Sequence, residues 1–326
     1  MKFLVTGATG FLGQNLIQYL YDSGHQAVAL VREGSRPPAS LLNLAVEISR
    51  ADVTAAPSLQ KIPENLDGVF HLAGVIAYHK RERALMERVN VQGTVHVLDF
   101  CETRALPLLH VSSVVAVGAS RTPVVLNETS PYEVPNSFGY FASKRKAESL
   151  VLQRSLQGKL RAVVVNPSTI YGAGDMEKSS RKAQLQVARG RLNFYPPGGV
   201  SVVNVEAVVH AMLKALQIGK SGERYILAGE NLLLKEVFAL IAKHSGQTRP
   251  KWGLPQVLLQ IIGLGGDLAE LFGFQASLTS ENAALACWYH WFDSSKARQE
   301  LGFQFESADE AIRKSILWAK KNGLLC

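Results

Sequence analysis

The chain has 326 residues, about two average domains by length, with 35 Lys and Arg against 27 Asp and Glu for a net charge of +8. With 47% hydrophobic and 19% charged residues it has an ordinary globular composition, and a chain this long buries enough surface to need no disulfide or metal staple. Cys101, Cys287 and Cys326 make no CxxC pair and no His/Cys spacing suits zinc, which excludes a disulfide scaffold and leaves no metal site to assign, while the positive excess stays open to a polyanion, a membrane surface or an anionic cofactor.

The apolar run Phe3-Leu4-Val5 breaks at Thr6-Gly7, too short for a secretory core, so it reads as a buried strand beginning at residue 2 and the expected location is the cytoplasm. Phe3–Thr6, Ala27–Val31, Gly68–Ala73, Leu108–Ser112 and Arg161–Val165 are compact, apolar and partly β-branched, the pattern of parallel strands buried on both faces. Between the first two, Leu12, Leu16 and Tyr19 recur at helical spacing, and Val91, Val95 and Leu98 repeat it in a second helix. Such alternation predicts an α/β fold, a doubly wound parallel sheet.

After Pro167 the pattern loosens. Residues 172–200 are polar and basic and end in Pro196-Pro197-Gly198-Gly199; a strand at Ser201–Val205, a helix from Glu206 and a strand at Tyr225–Leu227 follow. Helices dominate from Gly229 to a last one near Ala308–Lys320. The expected division is a Rossmann-type unit over residues 1–171, rejoined by the chain around 201–228, and a smaller, mainly helical substrate lobe from 172–200 and 229–326. Within that lobe Leu254–Phe274 is strongly apolar, but Asp267 and Glu270 make a membrane span untenable; it reads as a helical pair, with a membrane-surface contact as the alternative.

The first strand runs straight into Thr6-Gly7-Ala8-Thr9-Gly10-Phe11-Leu12-Gly13 and then a helix. Gly7 allows a sharp turn, Gly10 lets backbone approach a pyrophosphate, Gly13 permits close helix–strand packing, and the helix N-terminus offers N–H donors to the anion. The spacing is GxxGxxG rather than GxGxxG. An acid normally ends the second strand to bind the ribose of NAD, whereas an Arg suits the 2′-phosphate of NADP. Here Leu30-Val31-Arg32 ends it, with Arg36 close behind, so NADP(H) is expected; Glu33 would become the ribose ligand after a one-residue shift. Asp52 is placed either to meet the adenine amino group or to cap a turn.

Tyr140 and Lys144 stand four apart, on one face of a helix. A tyrosine with a pKa near 10 needs a neighbouring cation to act as a base at neutral pH, and Lys144 can supply it while gripping the nicotinamide ribose. Ser112 and Ser113 end the fifth strand, where ligands of open α/β sheets gather.

Together the glycine loop, His71-Leu72-Ala73-Gly74, Asn90-x-x-Gly93-Thr94, Ser112-Ser113, Tyr140-x-x-x-Lys144, Asn166-Pro167-Ser168-Thr169-Ile170-Tyr171-Gly172, Phe292-Asp293-Ser294-Ser295-Lys296 and Glu300-Leu301-Gly302-Phe303 resemble the extended short-chain dehydrogenase/reductase family over essentially the whole chain. The resemblance implies a Ser113-Tyr140-Lys144 triad, Ser113 being favoured over Ser112 because Gly118 follows at the family's spacing. It implies a cofactor lying along Gly7, Thr9, Gly10, Phe11, Leu12, Gly13, Arg32, Asp52, Val53, Leu72, Ala73, Gly74, Tyr140, Lys144, Pro167 and Ser168. It also implies a homodimer paired through the helices near 84–104 and 140–157.

Within the family, Arg32, the lack of an Arg-Asp pair before Val202-Val203-Asn204-Val205-Glu206, and Val114 and Val115 in place of acids after Ser113 set the chain apart from sugar-nucleotide epimerases and dehydratases and favour a reductase resembling dihydroflavonol reductase. Val75, Ile76, Tyr78, Val115, Phe138, Ile170 and Tyr171 are the pocket candidates; each could equally be core, but their apolar bias suggests a hydrophobic aldehyde or ketone. Lys178, Arg181, Lys182, Arg189 and Arg191 form either a solvated helix face or a seat for an anionic substrate tail. A nucleotide-sugar epimerase or dehydratase is the alternative enzyme. A catalytically silent NADP-binding regulator is remote because the Tyr-Lys pair is intact, and scattered cations without interleaved aromatics argue against nucleic acid.

Overall fold

A computed structural model describes residues 1–44, 46–175, 181–272, 274, 276 and 278–325. Its strands are β1 (Lys2–Thr6), β2 (Gln26–Val31), β3 (Glu47–Arg50), β4 (Gly68–His71), β5 (Leu108–Val111), β6 (Val125–Leu126), β7 (Ala162–Pro167), β8 (Thr169–Tyr171), β9 (Phe194–Tyr195), β10 (Gly199–Asn204), β11 (Arg224–Leu227), β12 (Glu230–Leu233), β13 (Trp252–Gly253) and β14 (Tyr289–Phe292). Seven of them form one sheet in the order β11-β7-β5-β4-β1-β2-β3, every neighbouring pair parallel. β4, β5 and β7 are buried at every residue, as their unbroken apolar runs require when helices cover both faces.

On one face the helices Phe11–Asp22 and Val205–Ile218 meet Phe3, Val5, Phe70, Leu109 and Val163. On the other, Gly93–Thr103 and Gly139–Leu156 cover Leu4, Val28, Val69, Leu108 and Val164. The first helix buries Gly13, Leu16, Ile17 and Leu20, leaving Leu12 and Tyr19 only partly covered, so its inner face is turned slightly from the expected stripe. The strand order reverses between β1 and β4, and the crevice beyond their carboxyl ends is where an open α/β sheet receives its ligand.

Two expectations change. The strand at 201–205 does not rejoin the large sheet: β8 continues from β7 across Ser168 and gives its edge to β10, so β10 joins a second sheet ordered β12-β10-β14-β6, and β11 makes the return. Among its described residues the apolar stretch 254–274 carries one helix, Gln256–Leu271, rather than a pair. Two of its three glycines are close contact points: a Cβ on Gly263 would lie 2.9 Å from the Ala283 Cβ and one on Gly266 1.9 Å from the Leu278 carbonyl oxygen, whereas Gly265 has open space. Among the described residues no helix is long and apolar enough to cross a membrane.

Candidate active site

The turn after β1 is built from close approaches. Gly7 has φ +68°, and a Cβ on it would sit 2.8 Å from the backbone nitrogen of Ala73, so the glycine turn and the end of β4 touch main chain to main chain. A Cβ on Gly13 would lie 2.3 Å from the Gly7 carbonyl oxygen, which fixes how tightly the helix folds back on its own entry turn. Gly10 is the N-cap, with no side chain of its own to cap the helix, and the first turn holds no acid, so the positive end of the helix dipole faces the turn. Thr9 is exposed beside Gly10, while Phe11 and Leu12 are half-buried.

A proton-ordered chain secures the exit of β4. Thr94 gives its hydroxyl proton to the Asn90 carbonyl at 2.6 Å, so it accepts from His71 Nε2 at 3.0 Å. Nδ1 of His71 then accepts from Thr6 Oγ1 at 2.7 Å, and that oxygen receives the N–H groups of Leu72 and Ala73, both at 3.1 Å. Burial, reinforced by the Lys144 charge, lowers the His71 pKa to about 3, so the ring is neutral, as this relay requires. Asn90, absent from the residues expected at the site, accepts from the Val75 N–H at 2.7 Å and donates to the Val75 carbonyl and Ser143 Oγ, both at 3.0 Å.

Arg32 is exposed just beyond β2. Arg50, not anticipated from sequence, closes β3 and donates to the carbonyls of Arg32 at 3.1 Å and Ser35 at 2.5 Å, pinning that loop beneath its own guanidinium. Asp52 takes the turn-cap option: its Oδ1 accepts from the Thr54 N–H at 2.8 Å and hydroxyl at 2.9 Å. The Val53 carbonyl accepts from His96 at 2.8 Å, which braces the same turn.

Tyr140, Lys144 and Glu148 follow at four-residue steps along one buried face of Gly139–Leu156. Ser113, extended at the end of β5, acts directly on the Tyr140 phenol and favours its ionised form. Burial outweighs that effect, with the Tyr78 ring adding to it, and the phenol is pushed above its usual range. This differs from the expected lowering by Lys144. The lysine is turned toward the sheet instead: its Nζ donates to the Val111 carbonyl at 2.9 Å, and burial lowers its pKa to about 8 against the opposing pull of Glu148.

Glu148 was not anticipated either. It is buried, bound by Arg224 Nη1 at 3.0 Å and by Asn166 Nδ2 at 2.6 Å, and Asn166 also donates to the Ser113 carbonyl at 3.0 Å. A Cβ on Gly74 would stand 3.4 Å from Asn90 Oδ1 and 3.9 Å from Lys144 Nζ, which places Gly74 in ordinary contact distance of both. Ser168, just past Pro167, has a buried hydroxyl oxygen with no hydrogen-bond partner among the described residues. The glycine cradle, the positive end of the helix behind it and this orphaned hydroxyl together fit a dinucleotide at the carboxyl ends of β1, β4 and β7.

The pocket candidates divide. Tyr78 stands edge-on to Tyr140 with ring centroids 5.8 Å apart, and Val75, Val115 and Phe138 pack in the same cluster; Ile76 is exposed on the loop beside it. Tyr171 lies elsewhere, fully buried in the second lobe's core under the Arg181 guanidinium, 3.7 Å from its ring centre, and Ile170 packs against the large sheet's core. Arg181 is thereby accounted for: buried, 3.5 Å from Asp175 and bonded to the Ile170 carbonyl, it is neither solvated nor open to a substrate. Lys178 lies outside the described residues. Helix Ser280–Cys287 closes the site from the second lobe, where Glu281, its pKa raised by burial to about 6, accepts from the N–H of Gly139 at 3.4 Å.

Residues 3–228 match the model of the NAD dependent epimerase/dehydratase family. A protein of Synechocystis sp. named putative dihydroflavonol 4-reductase is 30% identical, with 98% of this chain and 95% of that protein aligned. Sterol demethylase protein B of Methylococcus capsulatus is also 30% identical over the full length of both chains. Among solved structures, one described as a nucleoside-diphosphate-sugar epimerase from Pseudomonas aeruginosa superposes with a TM-score of 0.80 at 25% identity, covering 100% of this chain and 99% of the other.

Proposed function

The chain belongs to the NAD dependent epimerase/dehydratase family, and on that footing we propose that it is an NADPH-dependent oxidoreductase reducing the carbonyl of a hydrophobic aldehyde or ketone to an alcohol. The observation that carries this reading is the meeting of Ser113 with the Tyr140 phenol, one helical turn from buried Lys144, inside an apolar cluster of Tyr78, Val75 and Val115. The glycine turn, Gly74, Pro167 and Ser168 would hold the dinucleotide, and the chemistry it brings when bound is hydride donation.

The protein's own part is the proton and the orientation. Burial keeps the Tyr140 phenol protonated at neutral pH, so it can give that proton to the carbonyl oxygen as charge develops there. The Ser113 hydroxyl would hydrogen-bond the same oxygen and fix its position. Lys144, with a pKa of about 8, keeps its ammonium at neutral pH and places positive charge behind the reacting oxygen. A positioned acid of this kind contributes about 10²–10⁴-fold.

Support for NADPH over NADH comes from Arg32 and Arg50 at the ends of β2 and β3, where a 2′-phosphate would lie. The names of the Synechocystis and Methylococcus relatives agree with a hydrophobic carbonyl. The test is an NADPH-oxidation screen over aldehydes, flavanonols, sterol ketones and UDP-sugars. Net NADPH consumption with the apolar carbonyls supports the proposal. Conversion of UDP-sugars with no net cofactor turnover would replace it with the epimerase reading suggested by the Pseudomonas structure's name.

A further inference from the structure

Nine of the twenty large apolar side chains exposed among the described residues fall between Val257 and Phe274. On the helix Gln256–Leu271 the outward positions include Val257 (66% exposed), Ile261 (60%), Leu264 (63%) and Leu271 (81%), with Leu268 between them. At about 100° per residue the exposed apolar side chains, with Leu258 and Ile262, sweep roughly half the helix circumference, far wider than the seam of a two-helix pair. Both acids of the helix face inward: Asp267 accepts from the Ser280 N–H at 3.1 Å and lies 3.6 Å from Lys80, and Glu270 is bound by His79. The outer face therefore carries no charge.

The surroundings supply the charge that is missing. The short parallel ribbon of β9 and β13, which leads into this helix, exposes Phe194 and Trp252 (65%). It is flanked by exposed Arg191, Arg249 and Lys251, none of which makes an ion pair among the described residues. The sequence has no acid in 181–205 and none in 237–266. An apolar helical face, a tryptophan at its edge and unpaired cations around it match an anionic lipid surface, with the helix lying in the plane of the headgroups rather than crossing.

We propose that the helix Gln256–Leu271, with the β9–β13 ribbon, docks this protein onto anionic phospholipid bilayers. The docking stands apart from the carbonyl-reducing reading and needs no turnover to be observed. It has a structural consequence: Leu259, on the helix's inner side, and Leu254 belong to the apolar cluster that holds Tyr140, Tyr78 and Val115, so the docked surface borders the candidate site directly.

Sedimentation of the full chain with sucrose-loaded vesicles tests this. Vesicles of phosphatidylcholine with about one-third phosphatidylglycerol should carry the protein down, pure phosphatidylcholine much less, and added salt should weaken the binding. Leu264→Glu/Leu268→Glu, at exposed positions that leave the fold intact by circular dichroism, should lower the vesicle affinity by about tenfold or more. Arg249→Glu/Lys251→Glu should lower it by roughly tenfold on anionic vesicles only. Protein left in the supernatant with anionic vesicles, or a Leu264→Glu/Leu268→Glu variant that binds like wild type, overturns the proposal. So does a dimer in solution that this same double substitution splits, since a second copy would then own the surface.

Discussion

The Lys144 ammonium is bound to the Val111 carbonyl at 2.9 Å, so the lysine of one helix is anchored to the strand end that carries Ser113 two residues later. Because burial lowers the Lys144 pKa to about 8, the charge is present below that pH and lost above it. The rate of carbonyl reduction should therefore be level up to about pH 8 and then fall by about tenfold per unit. Lys144→Arg, charged throughout the range, should move the descending limb upward; a limb unchanged in that variant would exclude Lys144 as its origin.

Glu148 adds its own signature one turn further on. Glu148→Leu leaves Arg224 without its carboxylate, and with Arg224 31% exposed the expected loss of stability is about 2 kcal/mol, below the range for a fully buried pair. Because Glu148 raises the Lys144 pKa, its removal should also shift the alkaline limb toward lower pH. A thermal melt and a pH–rate profile read the two effects separately.

Arg32 and Arg50 should decide between the dinucleotides. In Arg32→Ala the KM for NADPH should rise by about tenfold, the loss of a charge-assisted phosphate contact, with little change for NADH. Arg50→Ala frees the loop carbonyls of Arg32 and Ser35 and should show the same preference for harming NADPH. Equal losses with both cofactors would mean that neither arginine meets a 2′-phosphate.

Two glycines separate close approach from backbone freedom. Gly13→Ala puts a methyl 2.3 Å from the Gly7 carbonyl oxygen, so the turn must open, and dinucleotide affinity by fluorescence titration should collapse. Gly24→Ala, at φ +75° with nothing within 4 Å, should cost about 1–2 kcal/mol in a melt and leave that affinity alone.

The large sheet was legible because strands buried on both faces are written as continuous apolar runs; spacing put Tyr140 and Lys144 on one helix face, while the strand-end serines and the family resemblance singled them out. What escaped depended on tertiary partners. Glu148 and Arg50 look like ordinary surface charges until Arg224 on β11 and the loop carbonyls of Arg32 and Ser35 are brought against them. Arg181 sat in a basic run that resembled a solvated face, and only the fold buries it over Tyr171 beside Asp175. The Tyr140 phenol departs from expectation for a related reason: spacing shows a cation nearby, whereas burial, which sets the sign of the shift, is a property of the packed site.

The most direct test of the central claim follows a deuterium label from C4 of NADPH into product, in wild type and in Tyr140→Phe, over a series of hydrophobic aldehydes and ketones. The account predicts one deuterium on the new carbinol carbon, and in the variant a kcat lower by about 10²–10⁴-fold with NADPH affinity retained. Wild-type turnover by Tyr140→Phe, or no label in product while a nucleotide sugar is interconverted, would contradict it.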